Sequence, residues 1–593
     1  MTEHTDSWFS PASPPPDWNP AQADPNRYAD PALRQVQYQR PAYSAQTLAP
    51  VPAPAPVPAP APVPGTESDR YEGQLDAQHV IESYAPEPYE TLAADGPQYA
   101  IPDIPDSGWS AAPSRRRRWI GRILLFGVLV MQALLSLRLS NIASPEEAVN
   151  LVVGRQEYGH LVDGTAVTTD LVHRLSGSAR LYPVLAGAAD KLHGLAGVRL
   201  LSLLCALIAT ALLYSLTRRM FNERVASCAA AAYAVLQSTV VTGYYASPDA
   251  LALMLVALAA WIVVRTNRAP AVAVLAAAPV AALAAAVEHM TVLVLPTLLL
   301  LAVHMAWPHK GPAKGILRGV VLGAGIAVPL LVAGVLTEIR KVTPAHGRGS
   351  ESALHILSTS AQWSGLFVLL ACGGAVAWVR RERMNESVDM DSVPGSALRR
   401  AALGLTLCVT AALVPLLQAE LHTSAGMFRH IAFGLLLAAP MAGLGITRMI
   451  GAHFRHPQLG ILAWVLMLAL GISQSAQRFE SWPGVGLVEV LRAHVHGKGT
   501  YLSEVEGVPQ YYLGSVTEPG QWVSLGADSA GRVAKGRYGL IVLDVASSGP
   551  GTARERAVTQ AIRSGGHYRL IAQLPYRDRA ADAAGVYRVY VKQ

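Results

Sequence analysis

About eleven apolar runs, each near the length needed to cross a bilayer, follow one another between residues 119 and 473. Hydrocarbon offers no partner to a backbone N–H or C=O, so a spanning segment must bond internally, and a helix needs roughly 20 apolar residues to reach across. The runs lie near 119–139, 195–216, 223–242, 250–264, 270–287, 290–307, 316–336, 363–379, 400–417, 431–447 and 457–473. They predict an α-helical polytopic membrane protein with about 11 transmembrane helices. The Ala-rich fifth run, interrupted by Pro279, and the run around Ile461 are the weakest, and the fifth suits a broken or re-entrant helix.

Charge supports the same class. Only 15% of the 593 residues are charged against 51% hydrophobic, and the net charge of +7 sits in short clusters between apolar runs, which argues against a nucleic-acid-binding face. Lys and Arg accumulate in short cytoplasmic loops. Arg115 to Arg118 therefore put the N-terminus inside, and alternate breaks repeat the signal at Arg218, Arg219 and Arg224, at Arg265 and Arg268, at Lys310, Lys314 and Arg318, at Arg380 to Arg400, and at Arg448 and Arg455. An odd number of spans places residues after about 474 outside the cytoplasm, with the segments 140–194, 338–362 and 418–430.

Three regions follow. Residues 1–112, with "LAPVPAPAPVPAPAPVPG", lack the branched apolar content for a core and read as a disordered Pro/Ala-rich cytoplasmic tail. No basic-then-apolar leader precedes Arg115, so the tail is expected to stay attached. Residues 113–475 form the transmembrane domain, with the outer loop 140–194. Residues 476–593 read as a small extracytoplasmic α/β domain, with strands in "GTYLSEV", "YGLIVLDV", "YRLIAQLPY" and "GVYRVYV" and a helix in "ARERAVTQAIRSGG". The four cysteines lie in or near apolar runs with no CxxC pair, and no cluster has metal-ligand spacing. No disulfide framework, obligatory metal or cofactor is expected.

Ionisable residues at the outer ends of the spans are the candidates for chemistry, since charge bordering apolar helix is costly unless paired or wet. In "SPEEA", Ser144 and Glu147 have the Ser-x-x-Glu spacing of a capping box with Pro145 at the first helical position, so a helix begins here. Its polar face, Glu147, Asn150, Gly154 and Glu157, opposes Ala148, Val149, Val152 and Val153, as in a helix on the membrane surface whose polar side roofs a cavity. Capping occupies Glu147 and leaves Glu146 unclaimed. Asp249 follows Pro248 at a helix start and is either a dipole partner or functional. Glu288 and His289 break the fifth and sixth runs. "QAELHTSAGMFRHIAFG" carries His422, Arg429 and His430, where an outer arginine suits phosphate capture or lipid-headgroup contact. Arg155, Arg174, Arg180, Arg340, Lys341 and Arg348 are further outer cations, some expected to balance Glu157, Asp163, Asp170 and Glu338.

The order of these features resembles the C superfamily of membrane glycosyltransferases, especially actinobacterial members of the family that includes protein O-mannosyltransferases and the aminoarabinose transferase of lipid A (glycosyltransferase family 39). "SPEEA" is similar to their acidic motif after span one, and "SGSARLYPVLAGAADKLHGLAGVRLLSLL" to their Pro-containing loop and the start of span two. "YYASPDALALML" resembles their second acidic site and "LHTSAGMFRHIAFG" a later basic segment. The likeness covers about 119–475; Glu146 stands where aspartate is usual, "VEHM" where the family has a "TKYA"-like segment, and Arg429 where it has lysine. The resemblance implies transfer of a sugar from a polyprenyl-phosphate-linked donor to an acceptor hydroxyl of a protein, glycan or lipid on the outer face of the plasma membrane, with inversion. It implies Glu146 and Asp249 as catalytic residues, and Arg429, His430, Glu288, His289, Tyr182 and His422 as substrate-binding ones. A transporter or flippase of a lipid-linked or anionic substrate, and a noncatalytic membrane scaffold derived from the same fold, are the alternatives.

Overall fold

A computed structural model of the chain describes residues 115–137, 142–167, 171–178, 180–334, 351–380, 396–451, 456–479, 484–546, 553–578 and 583–593. The expected tail at 1–112 and the cations Arg340, Lys341 and Arg348 lie outside these residues, as do Asp170 and Glu338. In chain order the longer helices are α1 (Arg115–Ser136), α2 (Pro145–Asp163), α3 (Tyr182–Met220), α4 (Glu223–Ala234), α5 (Gln237–Thr242), α6 (Pro248–Arg265), α7 (Ala278–Val287), α8 (Leu295–Val332), α9 (Ala353–Val379), α10 (Ser396–Leu421), α11 (Met427–Ile450) and α12 (Pro457–Phe479).

Among the described residues eight helices are long and apolar enough to cross a membrane. The chain is thus a multi-pass membrane protein, though with fewer long helices than the eleven apolar runs predict. Three features of the structure accompany the difference. The sixth and seventh runs are the two helical arms of α8, which separate at Gly311, whose φ of 81° and ψ of 169° leave the helical region at little steric cost to glycine, so both runs remain distinct within one continuous element. The third run divides into α4 and α5, between which the Val235 carbonyl approaches Gly471 too closely for any side chain there. The fifth run begins as a 3-10 segment, Ala271–Ala277, before the short α7, with Pro279 in its first turn.

The innermost helix is α11, buried along its length. Small residues let neighbours come backbone to backbone, the usual route to tight packing when lipid removes the hydrophobic drive between helices. A Cβ on Gly445 would lie 2.1 Å from the Leu370 carbonyl, and one on Gly374 2.1 Å from that of Met441. That packing fixes α11 against α9, and the N-terminal ends of α11 and α6 both carry candidate site residues.

After α13 (Val485–His494) the chain builds a five-stranded sheet, β1 (Thr500–Ser503), β2 (Trp522–Ser524), β3 (Tyr538–Ala546), β4 (Tyr568–Asp578) and β5 (Ala583–Lys592), in the order β2-β1-β3-β5-β4. β1 runs parallel to β2 and β3, while β5 is antiparallel to β3 and β4. The helix α16 (Ala553–Gly565), numbered after α14 (Val508–Tyr512) and α15 (Ser529–Ala534), covers it. Four strands fall where alternation predicted them; β2, three residues long, has too few to show a period.

Burial beside Asp544 and Glu555 pushes the Glu504 carboxyl up to about 7. A carboxyl raised above its unfolded value adds stability at low pH that is lost as pH rises through about 7. Glu504→Gln, whose oxygen can still accept the Asp544 N–H, is therefore expected to stabilise the protein above pH 7 by about 1 kcal/mol, after allowance for partial exposure. The gain should fade toward pH 4.5, as thermal unfolding of the two proteins in detergent across that range would show.

Candidate active site

The first turn of α2 is built as the sequence predicts. Ser144 Oγ accepts the Glu147 N–H at 3.3 Å, and Glu147 Oε2 accepts the Ser144 N–H at 2.9 Å. Capping is only part of what Glu147 does. Its oxygens also accept from Arg199 Nε at 3.0 Å and Nη2 at 2.9 Å, and from the Ala246 N–H at 2.9 Å. Arg199 lies over the Tyr244 ring at 4.3 Å and is as deeply buried as Glu147. One carboxylate thereby ties α2 to α3 and to the turn that leads into α6. Arg199 was not singled out from the sequence, although a charge inside the second apolar run is a signal of a buried pair.

Glu146, one residue earlier, points elsewhere. Its side chain is half exposed and pairs with the buried Arg429. Arg429 Nε is also 3.2 Å from Asp249 Oδ2, and His430 Nε2 is 3.3 Å from Asp249 Oδ1. Ser247 Oγ donates to Asp249 Oδ2 at 2.8 Å. The starts of α2, α6 and α11, far apart in sequence, thus meet around one guanidinium. Positive helix N-termini are suited to anions, and here three of them converge.

Glu288, at the junction of α7 with the 3-10 turn His289–Val294, accepts from the Ser176 hydroxyl and the Met290 N–H. It is buried, and one ligand-capable atom each of Glu288, Asp249 and His430 lie within 4.8 Å of one another. His289 follows on the same junction, where its N–H donates to the Ser176 carbonyl at 3.2 Å. Tyr182 is buried at the start of α3, its hydroxyl within electrostatic reach of Glu147 and Asp249. His422 differs: its φ of 54° turns it toward the start of α9, and Nδ1 bonds the Glu351 carbonyl at 2.9 Å. None of its described contacts reaches Asp249 or Arg429.

The segment after β1 contributes a wall. A cavity of about 270 Å³ is bounded by Glu146, Asn150, Arg174 and Ser176, and by Glu506 from the segment after β1. Arg174 pairs with Glu506 at 2.7 Å, while Arg155 pairs with Asp190, whose Oδ1 accepts the Tyr511 hydroxyl at 2.8 Å. These cations thus balance acids other than the neighbouring ones expected from the sequence. Tyr512 Oη accepts the Ala143 N–H at 2.7 Å. Gly507, at φ 78°, presses so close that a Cβ would lie 2.7 Å from the Val149 nitrogen. On its other side, a Cβ on Gly154 of α2 would sit 2.3 Å from the Pro183 carbonyl of α3. α2 is therefore clamped between α3 and the segment after β1, with both its polar and apolar faces buried, and is not the surface-lying helix its periodicity suggests.

Residues 189–333 match the family model described as dolichyl-phosphate-mannose-protein mannosyltransferase. That segment carries Asp249 and Glu288. No curated protein sequence matches the chain. Among solved structures, ArnT from Cupriavidus metallidurans is similar at 14% identity, over 80% of this chain and 98% of that one, with a TM-score of 0.49. The arabinofuranosyltransferase AftD from Mycobacteria is similar at 15% identity, over 82% of this chain and 40% of that one, with a TM-score of 0.45. The Archaeoglobus fulgidus oligosaccharyltransferase gives 11% identity over 72% and 70%, also with a TM-score of 0.45. The family match covers the start of span two and "YYASPDALALML", and over residues 189–333 it bears out the resemblance that those motifs carry, making the chain similar there to the mannosyltransferases that the model describes.

Proposed function

We propose that the protein transfers a sugar from a polyprenyl-phosphate-linked donor to an acceptor hydroxyl at the outer face of the plasma membrane, with inversion at the anomeric carbon. One observation carries the reading: Asp249, Arg429 and His430 converge behind Glu146, which lines a cavity. The half-exposed Glu146 is the base that takes the acceptor proton. Arg429, charged and planar, stabilises the negative charge that develops on the departing lipid phosphate, with His430 beside it. Asp249 holds both in place. Tyr182, Glu288 and His289 border the donor's sugar, and His422 supports the nearby loop.

In this reading the N-terminus is cytoplasmic, about eleven spans lie within 113–475, and residues 476–593 are extracytoplasmic and face the acceptor, which is protein, glycan or lipid. Membranes containing the protein are expected to move labelled sugar from a polyprenyl-phosphate donor to an endogenous acceptor. Correctly inserted protein that transfers nothing from any such donor would favour the scaffold reading instead.

A further inference from the structure

We propose that a cavity between α5, α9 and α12 binds one acylglycerol, a membrane lipid whose small uncharged head carries a hydroxyl beside an ester carbonyl. The inference stands apart from the transferase reading, since none of the residues lining this cavity borders the one beside Glu146. The cavity lies next to the break between α4 and α5. There Gly471 of α12 packs on the Val235 carbonyl, and Gln237, the first residue of α5, faces a space of about 200 Å³ that α9 closes from the other side.

Gln237 supplies the chemical demand. It is 1% exposed, and neither its Nε2 nor its Oε1 has a hydrogen-bond partner among the described residues. Burying a carboxamide without partners costs stability, and native structures nearly always meet such a group with protein, water or ligand. Its amide presents a donor and an acceptor side by side, so the occupant must carry an acceptor and a donor of its own. A hydroxyl next to an ester carbonyl does. Among the described residues no charged side chain lines the cavity; Arg478 sits over the Trp363 ring at 5.3 Å but is not part of the lining. A charged head would therefore enter without compensation, and an uncharged one is favoured.

The walls say how the lipid lies. Gln474 Nε2 of α12 donates to the Gln362 carbonyl of α9 at 2.9 Å, tying the two helices together at the polar end of the cavity. At about 1.5 Å per residue, Gln474 is about 8 Å inside the Phe479 end of α12 and Gln362 about 14 Å inside the Ala353 end of α9. With those ends at the membrane surface, both lie just below a headgroup layer about 5–8 Å thick. Leu366 and Phe367 continue the wall deeper along α9, and Leu470 and Met467 do so along α12. A lipid with its head at Gln237 and its chain toward the bilayer centre matches this order of polar and apolar surface. Water alone does not, because the four deeper side chains offer it no hydrogen bonds. Ala361, Gln362 and Leu470 are exposed and form the opening through which a chain can enter from the bilayer.

The test uses full-length protein, delipidated in a non-ionic detergent and titrated with monooleoylglycerol, with bound lipid counted by native mass spectrometry. One lipid per chain is expected, together with a rise in the temperature of unfolding. Gln237→Leu should weaken binding at least about tenfold, as the loss of two hydrogen bonds implies, whereas Gln477→Leu, on an exposed face of α12, should not. Should Gln237→Leu fail to fold, Ala361→Trp decides, because it fills the cavity from an exposed position of α9 and should abolish binding. Parallel titrations with phosphatidylglycerol and with a polyprenyl phosphate test the other occupants. Tighter binding of either one that Ala361→Trp removes, a cavity that retains no lipid, or undiminished monooleoylglycerol binding in folded Gln237→Leu or Ala361→Trp protein overturns the proposal.

Discussion

Glu147→Gln is expected to destabilise the protein by about 3–5 kcal/mol, the usual cost of removing one member of a buried ion pair. On sequence grounds the substitution looks mild, since glutamine can still cap α2 and so much activity should survive. The structure reverses that expectation. Arg199 is 2% exposed, and its two charge-assisted bonds go to Glu147. With glutamine in place, the guanidinium stays buried and loses the carboxylate that faces it, keeping the Ile142 carbonyl. The Ala246 N–H and Ser144 N–H would also compete for a single amide oxygen. Thermal unfolding in detergent measures the loss, and Arg199→Met should show a comparable one. The double substitution should cost clearly less than the two single costs added, because neither residue is then left as a lone buried charge. Additive costs would show that the pair is not the junction described.

Much of the architecture was legible because its signals are local. Apolar run length marks helices, and alternation marked β1, β3, β4 and β5; both are properties of a few consecutive residues. The number of long helices was less so. α8 separates into two arms at Gly311, and the break in the third run packs against Gly471, more than 200 residues away. The candidate site divides in the same way. Its acids and cations stood out singly as charges at span ends, but their pairing is a matter of tertiary packing. Glu146 finds Arg429, Arg174 finds Glu506 and Asp190 finds Tyr511, all across separations that no periodicity spans. Proximity along the chain even misled: His422 is near Arg429 in sequence, yet its left-handed turn carries it to Glu351. Adjacent residues on a helix point about 100° apart, which is why Glu146 and Glu147 can have different partners.

That divergence makes the sharpest functional test. Glu146→Gln is expected to lower sugar transfer by about 10²–10⁴-fold, the range lost with a general base, while leaving thermal stability nearly unchanged. Its side chain is 54% exposed, so removing its charge strands little in the interior, and Arg429 keeps Asp249 as a counterion. Glutamine retains the shape and an acceptor oxygen but cannot take a proton. If Glu146 served only to orient Arg429, the amide would preserve much of the rate, and donor affinity would be the parameter that moved. A base lost from the chemical step lowers kcat with little change in the KM for the donor. Glu146→Asp should recover part of the rate by keeping the carboxylate, although the shorter side chain withdraws it from Arg429. Full activity in Glu146→Gln, together with loss in a stably folded Glu147→Gln protein, would transfer the role of base to the residue that the fold otherwise uses as a strut.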